Sequence, residues 1–255
     1  MLQMCAWAAV ALMLFLSYFV VQRSLPLAAR SVFLCVYSLS QLAVLLLGGL
    51  LTVYDPTDSV VYRHRAAKLQ GLLFAEDQFP MVCTVCDTNV STEAKHCSRC
   101  DRCVESFDHH CKWLNNCIGK CNYLYFCTLL AALWTCSATQ LAFAVAGITL
   151  DTGDWEEQNR TQKALLALDI VLSGLVLLGT SHLSSFHIWL RCQGLTTYEF
   201  IKKRRGRRIK AKTEEQKLTI FDKNTLETQS DAVARAEDTE ITHQIDISGI
   251  CVVQH

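Results

Sequence analysis

The chain has 255 residues, 51% of them hydrophobic, with 24 basic and 24 acidic side chains and no formal net charge. A mean hydropathy of +0.21 excludes an ordinary soluble domain of this size and directs attention to membrane segments. The fourteen cysteines exclude a secreted disulfide framework, because seven of them crowd between Cys83 and Cys117 among lysines and histidines.

Four apolar segments are long enough to cross a bilayer, which takes roughly 20 residues. They run from about Met4 to Val21, Val32 to Tyr54, Tyr123 to Leu150 and Ala164 to Leu190. The first lacks the basic start and small-residue cleavage site of a signal peptide, so it is expected to stay as a span. Charge sets the topology. The 55–122 segment and the residues after Leu190 are basic near the membrane, whereas 151–163 carries Asp151, Asp154, Glu156 and Glu157. Excess Lys and Arg mark cytosolic loops, which puts both termini and 55–122 in the cytosol and the acidic loop in the lumen. Arg23 and Arg30 disagree mildly. Asn159-Arg160-Thr161 is a sequon in the acidic loop, expected to be unused so close to the span.

The chain therefore divides into residues 1–54 (two spans), 55–122 (a cytosolic cysteine-rich domain), 123–190 (two spans) and 191–255 (a cytosolic tail). The expected fold class is an all-α polytopic membrane protein with four transmembrane helices and a zinc-bound cysteine-rich domain. Asp169, His182 and His187 in the fourth span are ionisable groups of the kind that mark function in membranes. Asp169 is expected to reach the lumenal interface and His187 to sit at headgroup level. The basic block Lys202 to Lys212 reads as an anchor to anionic lipid rather than to nucleic acid, and the tail from about Thr213 as mainly disordered.

The central loop reads Cys83-x2-Cys86-x9-His96-Cys97-x2-Cys100-x2-Cys103-x4-Asp108-His109-His110-Cys111-x5-Cys117. Cys-x2-Cys turns aim two sulfurs at one tetrahedral zinc. Metal would hold together a loop that has little apolar material of its own. Ten Cys and His residues lie in this stretch. Two closed zinc sites use eight and leave two. A leftover cysteine and histidine beside an aspartate have the composition of a nucleophile, its base and the group that orients the base, as in Cys111, His109 and Asp108. The count alone leaves open which two are spare.

Asp108-His109-His110-Cys111, followed by Lys112 to Gly119 and Asn122-Tyr123 between the second and third spans, resembles the DHHC-type protein S-acyltransferases, or palmitoyltransferases. Thr196-Thr197-Tyr198-Glu199 resembles the family's Thr-Thr-x-Glu motif. Asp55-Pro56-Thr57-Asp58 is similar to an Asp-Pro-x-Asp subgroup, with Thr57 where the commoner motif has glycine. The resemblance implies two structural zinc ions, one on Cys83, Cys86, His96 and Cys103 and one on Cys97, Cys100, His110 and Cys117. It implies ping-pong transfer of a long acyl chain, palmitoyl above all, from acyl-CoA to Cys111 and on to cysteines of membrane or membrane-associated proteins. His109 would move the proton and Asp108 would hold His109. Trp113 would pack against the acyl chain or anchor at the interface, and Thr197 and Glu199 would brace the catalytic loop or cap a helix. An endoplasmic reticulum or Golgi membrane is the expected location. The alternative reading is a zinc-ribbon membrane adaptor without catalysis. A RING-like ligase fits the spacing poorly.

Overall fold

The computed structural model describes residues 1–74, 76–150 and 157–220, without the side chains of 150 and 157–159. Asp151, Asp154, Glu156, the side chains of Glu157 and Asn159, and the tail beyond residue 220 lie outside the described residues. Within Met1–Phe200, helices α1 (Leu2–Phe19), α2 (Leu27–Val53), α4 (Tyr123–Leu150) and α5 (Glu157–Cys192) are long and apolar enough to span a membrane. Between α2 and α4 lie α3 (Ser59–Gln70) and six strands: β1 (Met81–Cys83), β2 (Thr88–Val90), β3 (Lys95–Cys97), β4 (Arg102–Val104), β5 (His109–Cys111) and β6 (Asn116–Ile118).

The expected all-α architecture is thus corrected in the cysteine-rich domain. A four-residue turn, Cys-x2-Cys in the first two cases and Cys111 to Leu114 in the third, reverses the chain and lets the flanking residues pair as an antiparallel hairpin. Three two-stranded hairpins result, β1–β2, β3–β4 and β5–β6. Two other expectations change at the helix ends. The helical start of α5 at Glu157 takes up the second half of the expected 151–163 loop. Residues 197–220 are helical (α6), so the expected disorder does not hold for 213–220. That stretch is rich in Lys, Arg and Glu, all strong helix formers, and Glu214 pairs with Lys217 at 3.5 Å one turn on. From Ile201 onward α6 belongs to a second unit, Ile201–His255.

The spanning helices show large apolar side chains such as Leu39, Leu46, Val171, Leu175 and Leu178 on their outer faces, as a lipid-facing surface requires. Inside, Leu16, Phe33, Tyr37, Ala144 and Leu166 close one end of the bundle. Asp169 does not reach an interface. It is fully buried in the bundle, where Gln140 of α4 donates a hydrogen bond to it. A buried carboxylate needs an internal partner in hydrocarbon, and the amide across the helix interface supplies one. His182 is exposed on α5.

The other end of the bundle receives the third hairpin. Cys111, Leu114 and Ile118 pack with Val44 and Leu51 of α2 and Phe126, Leu129 and Leu130 of α4. Asn116 donates to the terminal carbonyls of α2 at Leu51 (2.8 Å) and Tyr54 (2.6 Å), which have no partner within their own helix. Gly119 closes the hairpin on the second one. A Cβ there would clash with Val104 Cγ1 and lie 2.8 Å from the Glu105 carbonyl oxygen.

The Asp-Pro-x-Asp turn fastens the first hairpin. Asp58 caps α3 through Val60 N–H (3.0 Å) and accepts from both the backbone and the hydroxyl of Ser91 (2.7 and 2.9 Å). Asp55 accepts from Thr57 Oγ1 (2.6 Å) and from Arg102 (2.7 Å). Thr57 has no positive φ, so the backbone does not require glycine there, and its hydroxyl is used.

Candidate active site

Two four-residue clusters converge as the spacing suggests. Cys83, Cys86, His96 and Cys103 form one, and Cys97, Cys100, His110 and Cys117 the other, with all donor atoms of each set within 4.8 Å. His96 Nδ1 lies 3.3 to 3.9 Å from its three sulfurs, and His110 Nδ1 lies 3.2 to 3.9 Å from its own. A tetrahedron with zinc–sulfur bonds of about 2.3 Å has edges of about 3.7 Å. Donor type and separation therefore both fit zinc. Asp101 sits 3.5 Å from His96 Nε2, where a carboxylate orients a metal-bound imidazole.

The two residues outside these sets, His109 and Cys111, come together with Asp108 above the bundle. Asp108 Oδ2 accepts from His109 Nδ1 at 2.6 Å, and Asp108 Oδ1 accepts from Thr197 N–H at 2.9 Å. With Nδ1 committed, Nε2 is the nitrogen left for Cys111, which stands two residues along β5 on the same face of the strand. Burial opposes charge on the imidazole, but the bonds to Asp108 and Cys111 outweigh it and raise the His109 pKa to about 9. Burial likewise opposes the thiolate. The His109 bond and the Leu114 and Trp113 amides outweigh it and hold Cys111 below the ordinary thiol value. Burial works against Asp108 too, and the His109 and Thr197 donors keep its carboxyl low. All three shifts run in the direction that favours a carboxylate, an imidazolium and a thiolate.

A sequence profile described as DHHC palmitoyltransferase matches residues 76–204. The chain belongs to this family. It is 37% identical over 134 residues to "Probable protein S-acyltransferase 20" of Arabidopsis thaliana, covering 48% of this chain and 19% of that protein. It is 36% identical over 117 residues to "Palmitoyltransferase ZDHHC5-A" of Danio rerio, covering 46% of this chain and 13% of that protein. The chain thus matches less than a fifth of the length of these relatives. Family membership and the four apolar helices make it an integral membrane protein with Cys/His clusters suited to metal.

Within this DHHC chain the motif after α5 divides its expected roles between its residues. Gly194, at φ +63, ends α5 in a left-handed turn. Thr196 and Glu199 then form a reciprocal capping box: Thr196 N–H donates to Glu199 Oε2 (2.9 Å) and Glu199 N–H to Thr196 Oγ1 (3.2 Å). Glu199 is therefore a cap and Thr197 a brace, through its backbone N–H on Asp108. Trp113 is 56% exposed on the hairpin turn.

The residue least legible in the sequence is His187. Its side chain is enclosed by protein. It is 4% exposed, lies against His109 and Phe126, with ring centroids 5.9 and 5.1 Å away, and Tyr123 OH is 3.1 Å from its Nδ1. Asp108, His109 and His187 also converge. The 2.6 Å between Asp108 and His109 is shorter than the edge of a metal polyhedron, so a hydrogen bond closes this trio. Beside it a cavity of about 760 Å³ runs between α4 and α5, lined by Tyr123, Cys127, Trp134, His187, Ile188 and Arg191.

Proposed function

We propose that this protein is a cytosol-facing S-acyltransferase of an endomembrane, which takes a long-chain acyl group, palmitoyl foremost, from acyl-CoA onto Cys111 and passes it to cysteines of membrane-associated proteins. The observation that carries the reading is the Asp108–His109–Cys111 relay, held at the membrane end of a hairpin whose other residues complete a metal cluster. An adaptor has no use for a thiolate poised in this way.

The Cys111 thiolate attacks the thioester carbonyl. The carbon–sulfur bond to CoA breaks, and the departing CoA thiolate takes the proton from His109. An incoming substrate thiol then gives its proton to His109 and attacks the Cys111 thioester, and Cys111 leaves as thiolate. Throughout, Asp108 holds the imidazole and offsets its charge. Zinc, when bound to the two quartets, supplies the rigidity of the hairpins. The α4–α5 cavity is of ligand-binding size and suits the chain, since each buried CH2 contributes about 0.8 kcal/mol. Arg191 in its lining, together with Trp113 near the thioester, would complete the acyl-CoA site, with the guanidinium on the phosphates.

The test is incubation of purified protein with labelled long-chain acyl-CoA. Hydroxylamine-sensitive label that disappears in Cys111→Ser supports the reading. No label on zinc-loaded, folded protein sinks it in favour of the adaptor.

A further inference from the structure

The three hairpins are copies of one device. Cys83, Cys97 and Cys111 each end the first strand, opposite Thr88, Arg102 and Asn116. Each turn closes on a left-handed residue: Asp87 (φ 49), Asp101 (φ 49) and Asn115 (φ 51). The residue just before it is Cys86 in the first hairpin, Cys100 in the second and Leu114 in the third. In the first turn the Cys86 amide donates to Cys83 Sγ at 3.4 Å, and the turn amides of Cys100 and Leu114 stand in the matching positions behind Cys97 and Cys111.

The hairpins also interlock in sequence. The Cys83/Cys86 knuckle is completed by the cross-strand pair His96 and Cys103 of the second hairpin. The Cys97/Cys100 knuckle is completed by His110 and Cys117 of the third. Among the described residues no fourth hairpin follows. The third knuckle instead meets the bundle, where His109 faces Cys111 and His187 stands behind it.

The geometry points to Leu114 as the residue that keeps Cys111 out of a third zinc knuckle. The active centre has the backbone of a metal site and lacks its second thiolate. In that place stands a side chain that is 8% exposed and packs in the same apolar cluster as Cys111. A tetrahedral zinc knuckle draws two sulfurs from Cys-x2-Cys. With leucine in the fourth place, the turn amides serve a free sulfur and the imidazole holds a proton rather than an ion. This role rests on the reading of Cys111 as the nucleophile.

The full chain, kept under reductant so that no disulfide forms, is compared as wild type, Leu114→Cys, Leu114→Ala and Leu114→Cys/Cys111→Ser. Bound zinc is counted and acyl-enzyme is measured by hydroxylamine-sensitive label. Leu114→Cys is expected to carry a third zinc, to lose most of its label, and to regain it when a weak chelator removes that ion. Leu114→Ala loses the same apolar contact and is expected to stay at two, as is the double variant. A Leu114→Cys protein with only two zinc ions, or with a third and undiminished label, overturns the inference. Absence of label in the wild type would strike the nucleophile reading instead, and the zinc counts would still decide the role of Leu114.

Discussion

Replacing Asp108 by asparagine isolates the orienting carboxylate with almost no change of volume. Asp108 has two donors to satisfy: His109 Nδ1–H at 2.6 Å and Thr197 N–H at 2.9 Å. An asparagine has one oxygen. If that oxygen stays on the Thr197 amide, the NH2 group faces His109 Nδ1 and forces the imidazole proton onto Nε2, the nitrogen that serves Cys111. The charge-assisted bond to His109 is lost in any case. Such a bond contributes about 1.5–3 kcal/mol, and about 1.4 kcal/mol is a tenfold change in rate. The first-order rate of acyl-enzyme formation should therefore fall about ten- to hundredfold, and further where the wrong tautomer persists. Single-turnover labelling with acyl-CoA in excess gives this rate directly. Zinc content is measured alongside, because Asp108 belongs to neither quartet and both ions should remain. An unchanged rate at full zinc content would refute the relay. A fall in rate that tracks loss of zinc would show that Asp108 acts on the fold instead.

The adjacent histidines should separate cleanly. His110→Ala is expected to lose one zinc and much of the cooperative thermal transition of the cysteine-rich domain, whereas His109→Ala should keep both ions and that transition and lose acyl-enzyme formation, as metal analysis and calorimetry on the same samples will show. Gly119→Ala places a Cβ against Val104 and the Glu105 carbonyl. Overpacking of this kind costs about 1–3 kcal/mol, so the melting temperature should fall, and an unchanged value would show that the hairpins are free to separate.

The four spans are legible because a predominantly apolar run of about twenty residues matches the thickness of a bilayer and is too long for most buried core helices. The ligand count leaves two spare residues whatever the fold. The hairpins are not legible as strands, because three residues on each side of a knuckle carry no alternation to read. Their equivalence lies in the repeated positions of Cys83, Cys97 and Cys111, but Leu114 hides the third copy from a search for cysteine pairs. His187 stands out in the sequence only as an ionisable group in an apolar helix. Its partners, Tyr123 and His109, lie on segments whose pairing with α5 no local pattern encodes. Asp169 escapes a local reading for the same reason, since the Gln140 that donates to its Oδ1 stands 29 residues away on another helix. In residues 213–220 polarity suggests disorder, although the strong helix formers there carry the better signal.

The hydrogen bond from Thr197 to Asp108 joins residues 89 positions apart in the chain. During synthesis the nucleophile therefore leaves the ribosome well before the group that steadies its carboxylate. Until α5 is inserted and its capping turn has formed, Asp108 lacks one of its two donors and the Cys111 hairpin has only part of its seat on the bundle. Full support of Asp108 therefore waits on α5 and the turn that follows it.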